Sequence, residues 1–198
     1  MTGLALIIAT LLGVPLGALI GLTTFRGKSL LRAMLYTGMG LPPVVVGLFV
    51  YLALSRSGPL GALGWLFTPS AMIAAQTIIA LPLTMGLTMT SVESVSPELR
   101  RQIVALGATR AQTAWTTLRE ARIGVTAAIV AAFGGIISEV GAVMLVGGNI
   151  AGQTRVLTTA IVLETRQGDF SLALALGVIL LALTFVVNVA LMRLQGRG

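Results

Sequence analysis

The stretch SPELRRQIVALGATRAQTAWTTLRE, Ser96 to Glu120, decides the fold. Ser96 is a good N-cap, Pro97 suits a first helical position that needs no N–H, and Glu98 puts an acid in the first turn. Leu99, Ile103 and Leu106 follow at i, i+4 and i+7, an apolar stripe. Gly107 suits the left-handed turn that ends a helix. Thr109 and Gln112 have capping-box spacing for a second helix, which carries Ala111, Trp115 and Leu118 and runs on into an apolar segment. The spacing predicts helix, glycine bend, helix. From Ser96 to Arg122 the stretch holds five Arg against two Glu. Such a hairpin either lies on anionic headgroups or docks a partner, and residue types alone leave both open.

Outward from it, the chain is apolar on both sides. Of 198 residues, 56% are hydrophobic and 10% charged, and mean hydropathy is +1.00. A soluble domain carries about a quarter charged residues, so this composition belongs in lipid. Charge gaps place five spans of the roughly 20 residues that a bilayer needs, at 4–24, 35–54, 70–92, 123–146 and 171–192. The loop 93–122 separates the third from the fourth, and the chain reads as one transmembrane domain over 1–198.

Arg26, Lys28, Arg32, Arg100, Arg101, Arg110, Arg119, Arg122, Arg193 and Arg197 fall on the side of the hairpin, whereas Arg56, Arg155 and Arg166 fall on the other. The positive-inside rule puts the hairpin and the C-terminus in the cytoplasm and the N-terminus outside. The formal charge of +7 then reflects orientation and not nucleic-acid binding. The first span starts almost at Met1 with no basic segment before it, which argues against a cleaved signal peptide. A missing upstream helix or a late start codon is the expectation that follows.

Chemistry is narrowly bounded. The chain has no Cys and no His, so disulfides, imidazole–metal sites and Ser–His or Cys–His nucleophile pairs are excluded. No cofactor is expected on this chain. An intramembrane enzyme would need a nucleophile or metal site within a span, and no Cys, no His and no G-x-S-x-G motif occurs. A self-sufficient channel or secondary carrier would commonly show internal repeats and charge relays, and neither stands out.

The hairpin resembles the EAA loop of permease subunits of binding-protein-dependent ABC importers, with that loop's glycine at Leu106-Gly107-Ala108. The Glu-Ala-Ala that names the loop is Arg101-Gln102-Ile103 here. A narrower resemblance covers nearly the whole chain. Gly40-Leu-Pro-Pro-Val-Val-Val-Gly47, Leu54-Ser-Arg-Ser-Gly-Pro-Leu-Gly61, Leu118-Arg-Glu-Ala-Arg122, Ser138-Glu-Val-Gly-Ala142 with Gly147-Gly-Asn149, and Thr154-Arg-Val-Leu-Thr-Thr-Ala160 are similar to tungstate-type permeases, relatives of molybdate and sulfate permeases.

The resemblance implies an all-α integral membrane fold of the type I importer (MetI-like) class, with cytoplasmic coupling helices, in a bacterial or archaeal plasma membrane. It implies import of an oxyanion, tungstate first, with molybdate or another anion as the alternative. The implied partners are a second copy, a cytoplasmic ATP-binding subunit and an extracytoplasmic oxyanion-binding protein. No G-x-x-x-x-G-K-[ST] occurs, so ATP must bind elsewhere. Members of that group usually carry one further N-terminal helix.

The ATPase contacts implied are Glu98, Arg101, Ala105, Leu106, Gly107, Ala108, Thr109 and Arg110. For the path and gate, the candidates are Ser138, Glu139, Gly141, Asn149, Thr154, Arg155 and Thr158. Glu139 is the one acid inside a predicted span, and a carboxylate facing an oxyanion would repel it, so a gate-shaping or structural role is expected. The 154–166 piece is too short to span and reads as interfacial or re-entrant, with Thr and Arg donors suited to a tetrahedral dianion.

Overall fold

The computed structural model describes residues 1–195; Arg197 of the charge tally lies outside them. Ten α-helices and one 3-10 turn make up the described chain, with no strand among those residues. Three helices are long and apolar enough to cross a bilayer alone: α1 (Thr2–Leu22), α4 (Pro69–Glu93) and α10 (Phe170–Gln195). They match the first, third and fifth predicted spans.

The other two expected spans need correction. The stretch 35–54 is two helices, α2 (Lys28–Met39) and α3 (Pro43–Leu54), bent by 96°. Pro42 and Pro43 lack the N–H groups that would continue α2, and the residue before a proline is pushed out of the helical region. The stretch 123–146 is likewise broken. α7 (Arg122–Ile137) stops, Ser138–Val140 is non-helical, and α8 (Gly141–Gly147) follows. Ser138 turns its hydroxyl back onto the carbonyl of Gly134 (2.8 Å), and the Glu139 carboxylate accepts the Ala142 N–H at 2.8 Å. Glu139 is therefore a helix cap at a break and not a charge in mid-helix. The run of the second hairpin helix into the fourth span is also bent, by 64° between α6 (Arg110–Glu120) and α7.

α4 is the hub. α1 lies parallel to it, seated through glycines: a Cβ at Gly13 would meet Thr84 Oγ1, one at Gly17 would come 2.4 Å from the Met85 carbonyl, and one at Gly21 2.9 Å from that of Met89. Small residues let helix backbones approach where lipid offers no hydrophobic drive. The Thr84 hydroxyl reaches the Ala9 carbonyl at 3.2 Å across the same seam. α7 runs antiparallel on another side of α4, with Gly124 against Ser91 and Ile136 against Gln76. α3 and α8 pack so closely that a Cβ at Gly47 would lie 2.5 Å from Ala142 Cα. α9 (Leu157–Gln167) folds back through Gly168, at φ +83°, into α10.

Candidate functional site

Two clusters of predicted residues sit at opposite ends of α4. At its C-terminal end is the hairpin of α5 (Pro97–Ala105) and α6. Its caps are as predicted. The Ser96 hydroxyl accepts the Leu99 N–H at 3.2 Å, and Thr109 with Gln112 closes a capping box (3.3 and 2.8 Å). Gly107 has φ +85°, and the N–H groups of Leu106, Gly107 and Ala108 turn back onto the carbonyls of Gln102, Val104 and Ile103. The bend is thereby rigid, and only glycine takes that φ without strain.

The expected apolar stripe divides. Leu99 and Leu118 pack inward with Val125 and Leu22 on a core of Ala18, Val92, Val95 and Ala121. Leu106, by contrast, is 88% exposed, because it caps α5 instead of continuing it, and Trp115 is 68% exposed on α6. Val104, Ala105, Thr109 and Arg110 are exposed too. Glu98 and Arg101 pair on the outer surface at 2.9 Å. The hairpin is thus fixed to the spans on one side and presents apolar side chains among arginines on the other.

Away from the hairpin, beside the middle and N-terminal half of α4, the two helix breaks adjoin. A Cβ at Gly141 would strike Val44 Cγ2 at 2.4 Å, and a cleft of about 290 Å³ is lined by Gly38–Pro43 from the first break and Gly135 beside the second. Non-helical backbone at membrane depth is tolerated where protein or a water-filled cavity covers it. Thr158, at the start of α9, donates to the Glu139 carbonyl at 3.2 Å, joining Glu139, Gly141 and Thr158 in one cluster. Asn149, Thr154 and Arg155 form a neighbouring loop. The buried Thr154 hydroxyl accepts the Ile150 N–H (2.9 Å) and donates to the Gly147 carbonyl (2.5 Å), so it holds the loop and is not free for a ligand. Asn149 takes φ +52°, and its Oδ1 is buried without a hydrogen-bond partner. Arg155 is exposed, reaches the Asn149 carbonyl at 3.5 Å, and forms no ion pair among the described residues.

Arg155 and Thr158 line an open, mostly apolar groove of about 720 Å³, with Thr2 and Gln76 as its other polar walls. Gln76 was not among the sequence candidates. It is 4% exposed inside α4, donates to the Ile136 carbonyl (3.0 Å) and Thr2 Oγ1 (3.2 Å), and leaves Oε1 unpartnered. A lone amide in an uncharged span was the signal that could have found it. The Gly40–Pro43 bend was not among the candidates either, because 35–54 reads as one span.

A family profile described as the binding-protein-dependent transport system inner membrane component matches residues 13–197. The chain belongs to this family. Among similar proteins, a probable anion ABC transporter permease of Haloferax volcanii is 47% identical over 98% of this chain and 85% of its own length. The tungstate uptake system permease protein TupB of Peptoclostridium acidaminophilum is 43% identical over 95% of this chain and 82% of its own. The molybdenum transport system permease protein ModB of Escherichia coli is more distant, at 29% over 94% and 85%. This permease is therefore an all-helical, multi-pass membrane subunit of an ABC transporter.

Proposed function

We propose that this permease imports an oxyanion, tungstate first, as a homodimer with its path at the two-fold interface. ATP is hydrolysed on a separate subunit docked on the α5–α6 hairpin, and substrate is delivered by a binding protein at the other end. The hairpin end lies in the cytoplasm of a bacterial or archaeal cell, with the N-terminus outside, and residues 1–198 act as one transmembrane domain.

The observation that carries the reading is the hairpin: a double-capped element, packed on the ends of α1 and α4, that turns Leu106 and Trp115 to solvent. Exposed apolar side chains on so closely braced an element support a protein-binding surface. The ATPase subunit grips Glu98, Arg101 and Ala105–Arg110, and its closure shifts the hairpin and with it α1 and α4. At the far end Arg155 supplies the positive potential that draws a dianion. Ser138, Glu139, Gly141, Asn149 and Thr158 shape the passage through cap and backbone contacts, beside the Gly40–Pro43 bend. Tungstate is preferred because the more similar relatives with a stated substrate carry that name; molybdate is the second reading, favoured by the more distant ones.

The test is cellular tungsten and molybdenum by mass spectrometry, with and without the gene, at nanomolar supply. Selective loss of tungsten supports the reading, and loss of molybdenum alone replaces the substrate. Docking is tested by copurifying the ATPase subunit with Leu106→Ser/Trp115→Ser. The exposed positions leave folding within about 0.5 kcal/mol, so undiminished capture at equal fold stability would refute the assignment.

A further inference from the structure

Glu93 closes α4, three positions before the Ser96 cap of the hairpin. Its carboxylate takes Lys28 Nζ at 2.9 Å on one oxygen and an Arg32 terminal nitrogen at 2.8 and 2.9 Å on both. Both cations sit in the first turns of α2. Lys28 also donates to the carbonyl of Thr23, at 2.7 Å, just past the end of α1. One half-buried carboxylate thus holds together the ends of α1 and α4 and the start of α2. Next to it the Arg100 guanidinium donates to the Val92 carbonyl, fastening α5 to the same end of α4.

α2 then leads into the bend at Gly40–Pro43. Beyond the bend, α3 seats Gly47 against Ala142 of α8, the helix that Glu139 caps. The hairpin therefore has a continuous route to the helix-break cluster, and among the described residues its one ionic joint is at Glu93. We propose that Glu93 is a positioning residue for transport: its pairing with Lys28 and Arg32 makes α2 follow α4 and the hairpin when the ATPase subunit moves them. The proposal rests on the import reading above.

The test uses the complete transporter, with ATPase and binding protein, in liposomes, measuring ATP hydrolysis and uptake of tungstate and molybdate together. Glu93→Gln is expected to retain the ATPase subunit and hydrolyse ATP, while uptake per ATP falls about fivefold or more, the size of a typical coupling between sites. The exchange Glu93→Arg with Arg32→Glu is expected to restore uptake per ATP. Unchanged uptake per ATP in Glu93→Gln overturns the proposal. So does a loss of assembly or uptake that the exchange fails to rescue, which would make the cluster merely structural.

A second readout needs no substrate. Spin labels at Ser29→Cys and Ser94→Cys, both exposed in a chain without native cysteines, report the α2–α4 distance through the ATP cycle. The distance is expected to hold in the parent and to broaden with Glu93→Gln; identical distributions overturn the proposal. A parent complex that imports neither anion would count against the import reading, and the label distances would still decide the role of Glu93.

Discussion

Gly17→Ala tests the α1–α4 seam. The added Cβ would stand 2.4 Å from the Met85 carbonyl oxygen and 3.0 Å from Thr88 Cβ, where ordinary contact begins at 3.4 Å. Met85 lies inside α4, so its carbonyl moves only with the helix, and α1 must retreat by about 1 Å. Overpacking of this kind costs about 1–3 kcal/mol. The retreat also stretches the Thr84–Ala9 hydrogen bond beyond its present 3.2 Å, and an interhelical bond in a membrane averages about 0.6 kcal/mol. Gly177→Ala is the matched control: it too lies in a helix interior, that of α10, and its Cβ meets nothing within 4 Å. Both variants gain the same helix propensity, up to about 1 kcal/mol, so it cancels between them. Gly17→Ala should be the less stable by about 2–3 kcal/mol. Reversible unfolding in mixed micelles, followed by helical circular dichroism, measures the difference. Agreement within about 0.5 kcal/mol would refute the close-packing argument.

Gly107→Ala should cost about 1–2 kcal/mol locally, since Ala must hold a φ of +85° in otherwise open space; faster amide exchange confined to α5 and α6, with the spans unchanged, is the expected pattern. Thr154→Val leaves the Ile150 N–H and Gly147 carbonyl unpartnered and should destabilise by about 2–3 kcal/mol, read as a lower melting temperature with ATPase capture retained. Asp169 is held below the ordinary aspartate pKa, first by the Leu172 N–H and then by the Ser171 hydroxyl. Its contribution to the start of α10 is therefore complete above the ordinary aspartate range and is lost as pH falls through the lower folded value, so exchange at Leu172 should quicken only at that acid end and not in Asp169→Asn.

The hairpin was legible because its determinants are local. Ser96, Gly107 and the Thr109–Gln112 pair act on backbone groups within a few residues, and all three hold. α1, α4 and α10 were legible because an uncharged run of sufficient length has few alternatives in lipid. The broken spans were not, because hydropathy counts side chains and is blind to where backbone hydrogen bonds end. Pro42 and Pro43 stood in plain view, but α2 also begins at Lys28, and the cations of its first turns pair with Glu93, 61 residues away from Arg32 in the chain. The stop at Ser138 depends on a hydroxyl folding back onto Gly134 and on Glu139 facing the opposite way along the chain, towards Ala142. At the far loop the sequence does not show how the side chains divide: Thr154 is held by loop hydrogen bonds, Arg155 is exposed, and Gln76 reaches the same groove from the uncharged third span.

The glycine seam also sets a schedule for biogenesis. α1 reaches the membrane before α4, yet the residues that fill its Gly13, Gly17 and Gly21 notches lie in α4, and the bond from Thr84 to Ala9 joins positions 75 apart. At about 5–20 residues per second on the ribosome, that gap lasts roughly 4–15 seconds. For that interval the notched face of α1 lacks the α4 residues that fill it in the finished fold. A nascent chain arrested before Pro69 would display that face unfilled, which gives cellular quality control a ready mark for an unfinished permease.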